Sequence, residues 1–111
     1  MNNIVHTDLA NGKWNELSLP EQLGNVGSEI SRAFRAKRIN NPKRMESAVY
    51  RALELMDLTK SDPKHKNRLR EICRTREVVC DFFLGENEYS STEEFLNKYF
   101  MDFALAARNQ G

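Results

Sequence analysis

The chain is poor in the residues that make tight turns and hold metals. Of its 111 residues only 5 are glycine and 3 are proline, too few for the many turns of an all-β fold. The two histidines, His6 and His65, and the two cysteines, Cys73 and Cys80, leave little from which to assemble a metal centre. A di-metal site in a helical bundle needs Glu-x-x-His pairs projecting inward. Here His6 lies in an aperiodic arm and His65 near a helix start, so neither joins an apolar stripe. The cysteines lack zinc-site spacing. They stand seven apart on one helix, about 10.5 Å of rise, too far for an intrahelical disulfide. They read as reduced thiols and small apolar core residues. No run approaches the ~20 apolar residues of a membrane span. Met1 to His6 lacks the basic-then-apolar pattern of a secretory signal. No strand precedes Gly24-Asn25-Val26-Gly27, so it is no phosphate loop. The expectation is a cytoplasmic chain with no metal, no cofactor and no catalytic residues.

What is present is amphipathic helix. Residues 1–17 carry no period and read as an arm, docked by Trp14 and Leu17; residues 1–10 are expected to be mobile, and Asn11-Gly12 is a turn signal. Residues 18–111 read as one domain. Ser18-Leu19-Pro20-Glu21 is a capping box with proline in the first turn. Leu19, Leu23, Val26, Ile30, Ala33 and Phe34 follow at steps of three and four. Gly24 and Gly27 interrupt this helix at about 1 kcal/mol each relative to alanine, which predicts close approach of another helix. Asn41-Pro42 opens a second helix with the stripe Met45, Ala48, Val49, Ala52, Leu53 and Met56. Ser61-Asp62-Pro63 repeats the device for a third, carrying Leu69, Ile72, Cys73, Val79, Cys80 and Phe83 and stopped by Gly85. Ser91-Thr92-Glu93-Glu94 reads as a capping box for a fourth, with Phe95, Leu96, Tyr99, Phe100, Phe103, Ala104 and Ala107. The predicted spans are 19–37, 42–60, 63–84 and 92–108. Four such helices on short connections predict an all-α, antiparallel up-down-up-down four-helix bundle.

The net charge is +1, which excludes a uniformly basic nucleic-acid coat. It hides an uneven distribution: residues 31–76 hold 14 basic and 5 acidic residues, and residues 77–111 hold 2 basic and 7 acidic. The densest basic run is Arg32, Arg35, Lys37, Arg38, Lys43 and Arg44. In an up-down bundle the third loop, with Glu86, Glu88, Glu93 and Glu94, lies at the same end. The run is therefore either neutralised there or exposed as an anion or nucleic-acid patch. The one aromatic residue within it, Phe34, belongs to the apolar stripe, so the run is no stacking platform for single strands.

Arg76 falls on the apolar stripe of the third helix. A desolvated arginine needs a carboxylate, and Glu29, Asp57 and Asp81 are the candidates. The reading is a structural ion pair or, alternatively, a polar pocket. The segment Arg76-Glu77-Val78-Val79-Cys80-Asp81-Phe82-Phe83-Leu84-Gly85 resembles the Arg-x4-His segment of the HEPN superfamily, small helical bundles of prokaryotic defence and toxin–antitoxin systems. Arg76, Phe83 and Gly85 match in spacing, whereas Asp81 stands where the family has histidine. The resemblance covers about ten residues. It implies bundle architecture and a partner-binding role, either nucleic-acid-associated or beside a nucleotidyltransferase, and the missing histidine argues against ribonuclease activity.

Residues 78–84 are apolar at every position but Asp81, more than one bundle face requires. The surplus, Val78 and Phe82 with Phe95 and Tyr99 on the fourth helix, either wraps the N-terminal arm with Trp14 or faces a second subunit, and is read as a homodimer surface, twofold dimers being the commonest closed assembly. The functional expectation is a non-enzymatic interaction or assembly module. The alternative is a HEPN-like protein using the basic face of helices one to three.

Overall fold

Each helix begins where its capping chemistry places it. The computed structural model describes residues 12–109; the expected mobile stretch 1–10, with His6, lies outside them. The described residues form four α-helices and two 3₁₀ turns, with no strand among them. Helix α1 spans Leu19–Arg38, α2 Pro42–Lys60, α3 Leu69–Leu84 and α4 Glu93–Arg108.

Ser18 Oγ accepts from Glu21 N at 3.2 Å, and Glu21 Oε1 accepts from Ser18 N at 2.8 Å, closing the capping box at the head of α1. That helix ends in a Schellman turn: Asn41 N donates to Ala36 O at 2.9 Å and Asn40 N to Lys37 O at 3.1 Å, with Asn40 left-handed at φ 60°. Asn41 then caps α2 through Arg44 N at 3.1 Å. Two boundaries differ from expectation. Residues 63–68 are a 3₁₀ turn, so α3 starts at Leu69 rather than residue 63. The cause is His65, whose φ of −104° and ψ of 16° leave helical geometry as its ring turns inward. In α4 the cap is Thr92, accepting from Phe95 N at 3.0 Å, one residue later than the predicted Ser91. Ser91 O and N are instead bonded by the Asn87 side chain.

Helix α1 is the shared wall of the fold, with its closest packing against α2 and then α4. Val26, Ile30 and Ala33 are fully buried and Phe34 nearly so. They meet Val49, Ala52 and Met56 of α2, Ile72 and Val79 of α3, and Leu96 and Phe100 of α4 in one core. Trp14, in the turn Lys13–Glu16, is 2% exposed and closes one end. The two cysteines are half-buried rather than core; Cys80 packs against the core and Cys73 lines a surface groove.

The glycines of α1 mark its contact with α4. A Cβ on Gly27 would lie 2.7 Å from Phe100 Cβ, and one on Gly24 would lie 3.3 Å from Ala104 Cα. Both obstacles sit on or next to the α4 backbone, so neither can swing away. Helix propensity favours alanine at these sites by about 1 kcal/mol, whereas overpacking costs about 1–3 kcal/mol. Gly27→Ala is therefore expected to lower the thermal midpoint despite its better propensity, and Gly24→Ala to lower it less. Thermal denaturation followed by circular dichroism checks the order; a gain at Gly27 would contradict it.

Candidate functional site

The four residues of the candidate polar pocket separate into three arrangements. Arg76 meets Asp57 across α3 and α2 in a two-pronged pair, Nε to Oδ1 at 2.7 Å and NH2 to Oδ2 at 3.2 Å. Burial alone would lower the Arg76 pKa, but the Asp57 carboxylate outweighs it and holds the guanidinium above its ordinary value. Its NH1 also reaches Cys80 Sγ at 3.7 Å. Glu29 goes elsewhere: it is bound by Arg51 Nε and Arg32 NH1, each at 3.1 Å. Asp81 faces the α3–α4 connection, where its carboxylate accepts from Glu88 N at 2.7 Å and Tyr89 N at 2.9 Å. Its carbonyl takes Gly85 N and Asn87 N. The Asp81 side chain is thus committed to loop amides.

Of the proposed dimer residues, Val78, Phe95 and Tyr99 line one apolar groove of about 230 Å³ between α3 and α4, together with Thr75, Leu96 and the rim residues Glu71 and Arg74. Tyr99 OH bonds Thr75 Oγ1 and Glu71 Oε2, each at 3.0 Å. Burial leads in raising the Tyr99 pKa above its ordinary value. Phe95 stands 59% exposed at the groove mouth. Phe82 is apart from them, edge-on to Phe34 and Phe83 with the Lys37 ammonium 4.9 Å above its ring.

The basic run is only partly neutralised. Arg38 pairs with Glu93, and Arg32 with Glu29. Arg35, Lys43 and Arg44 have no acidic partner among the described residues, and Glu86, Glu88 and Glu94 pair with none of the run. Arg32, Arg35 and Arg44 line a recess of about 270 Å³ between α1 and α2, joined there by Arg51. Arg51 escapes a search for dense charge runs. Its signal is position: Arg44 and Arg51 flank Ala48 at i−4 and i+3, on one face of α2.

A buried polar cluster was also missed. Gln22 is fully buried on α1. Its amide nitrogen donates to Trp14 O at 2.9 Å, Leu17 O at 3.2 Å and Asp62 Oδ2 at 3.0 Å. Its oxygen must therefore accept, which puts the proton of the His65 imidazole on Nε2, 2.9 Å away. Trp14 Nε1 donates to Thr59 Oγ1 at 2.9 Å, and Lys64 Nζ bridges Asp62 Oδ2 and Asn15 O. The cluster clamps the Trp14 turn onto α1 and α2. His65, near a helix start as expected, is 6% exposed and points inward. Gln22 lies one turn from both Leu19 and Val26, and a polar residue at such a position signals a buried partner.

Among the described residues no group of three or more His, Cys, Asp or Glu side chains is placed to hold a metal ion. No helix among them is long and apolar enough to cross a membrane. The chain matches no protein-family model, no curated protein and no solved structure.

Burial lowers the His65 pKa below 6.5, with Asp62 only partly opposing. Burial would raise Asp62, but donors from Lys64 and Gln22 outweigh it and hold the carboxyl below 3.8. An unfolded chain accepts a proton at residue 65 near pH 6.5 that the folded chain refuses, so stability is full above that pH and falls as pH drops below it. The urea midpoint is expected to fall between about pH 7.5 and 5, and His65→Gln, which keeps a donor for Gln22, is expected to remove most of that slope. For the loop, Asp81→Ala is expected to cost about 1–2 kcal/mol, the range for charged hydrogen bonds discounted for exposure. A neutral result in chemical denaturation would refute the anchoring role.

Proposed function

We propose that the protein is a cytoplasmic, non-enzymatic interaction module that assembles as a homodimer on an up-down-up-down helical frame. The observation carrying this reading is the α3–α4 groove. Three residues chosen from surplus hydrophobicity alone, Val78, Phe95 and Tyr99, line one cavity, and the Phe95 ring stands exposed beside it. An exposed ring next to an apolar slot is self-complementary: under a twofold operator, each copy can seat its ring in the slot of the other. Buried aromatic anchors of this kind dominate association energies.

The charged groups support the non-enzymatic part. Arg76 is held by Asp57, and Asp81 by loop amides. That leaves neither as a free acid, base or nucleophile in a cleft. Paired contacts of α1 with α2 and the residue just beyond it (Glu29 with Arg51, Gln22 with Asp62) and with α4 (Gly27 with Phe100, Arg38 with Glu93) agree with alternating directions.

Light scattering of the eluting protein tests the assembly. The expected mass is twice 12.9 kDa, reverting to one chain in Phe95→Asp with unchanged helical content. A monomeric wild type across micromolar concentrations would overturn the reading.

A further inference from the structure

The recess between α1 and α2 is built differently from the rest of the surface. Each helix contributes one continuous face: Arg32, Arg35 and Ala36 from α1 with its C-cap Ile39, and Arg44, Ala48 and Arg51 from α2. Its cations are four arginines and no lysine. A guanidinium presents its N–H groups in a rigid planar fork that matches the oxygens of phosphate, which an ammonium does not. The floor is Ala36 and Ala48, 4% and 1% exposed. Apolar ground beneath the charges lowers the local dielectric and strengthens their pull on an anion.

Glu29 gives the recess its order. Its carboxylate, on a side chain only 10% exposed, takes Nε of Arg51 and NH1 of Arg32, one oxygen each. Both guanidinium groups are thereby fixed at one edge, with N–H donors to spare. Arg35 and Arg44 are exposed and have no acidic partner among the described residues. Four positive charges against one negative leave a site short of anion. Its 270 Å³ equals the share of about nine liquid waters at roughly 30 Å³ each, room for one hydrated phosphate group.

We propose that this recess binds a phosphate group, gripped by Arg35 and Arg44 and flanked by Arg32 and Arg51, whose guanidinium groups Glu29 holds in place. The group belongs either to the backbone of a nucleic-acid strand or to free phosphate, and the same four side chains serve both. The inference is independent of the α3–α4 groove, which lies on other elements.

The test uses the full chain in phosphate-free buffer at low salt, with two probes: inorganic pyrophosphate by calorimetry, and a fluorescent single-stranded oligoribonucleotide by anisotropy. The double variant Arg35→Ala/Arg44→Ala removes no ion pair seen among the described residues, so its melting curve should match the wild type. It is expected to weaken binding at least about tenfold. For the oligonucleotide, the salt-dependence slope should fall by about one for each phosphate that the variant leaves unneutralised. The control Lys66→Ala/Arg70→Ala removes two exposed cations outside the recess and is expected to change affinity by less than about twofold. Strand binding that the recess variant weakens and that pyrophosphate displaces only at far higher concentration identifies a nucleic-acid backbone; pyrophosphate that binds and displaces the strand at comparable concentration identifies the free anion. Both results support the site. No binding of either probe, or equal weakening by the recess and control variants, overturns it.

Discussion

Helix α1 has to be buried against α2 and α4 at once, and that demand shapes the rest of the molecule. One side carries the branched and aromatic residues Val26, Ile30 and Phe34 that fill the core. Beside them, toward α4, stand Gly24 and Gly27, where α4 comes so close that Phe100 occupies the space of a side chain. A helix with two glycines is intrinsically weak. It persists because its neighbours bury what it offers, each fully buried large apolar side chain contributing about 1.5–3 kcal/mol. The ends are secured separately, by the capping box at Ser18 and the left-handed turn at Asn40.

The polar cluster around Gln22 serves the same helix. A buried amide without partners costs about 1–3 kcal/mol; Gln22 avoids this by bonding Trp14, Leu17, Asp62 and His65 together. The bonds tie the arm, α1 and the residues after α2 into one corner. They also explain why α3 starts late: Asp62 caps only a short turn because its carboxylate is shared with Gln22 and Lys64, and His65 breaks helical geometry to reach inward.

Local signals carried the helices. Ser18, Asn41 and the proline after each gave two starts to the residue, and steps of three and four gave the buried faces. The glycines of α1 were legible as a contact because only close packing compensates their cost. Long-range polar choices were not legible. Glu29 and Asp57 stood near the stripes of their own helices and Asp81 five residues beyond Arg76, yet Asp57 alone meets it. Glu29 pairs across to Arg51, which sequence distance hides, and Asp81 turns to amides of a loop whose path depends on positive φ at Asn87 and Ser90. His65 does lie near a helix start, but its burial was not legible, because it follows from a bend in the chain. The recess was half legible: its α1 side lay in the basic run, whereas Arg51 emerged only when α1 and α2 were laid together.

Amide hydrogen exchange of the native chain tests the primacy of α1 most directly. Amides from Val26 to Phe34 are expected to be the slowest in the molecule, opening only with global unfolding, while those of α3 and α4 exchange through smaller openings. Faster exchange in α1 than in α3 would contradict the account.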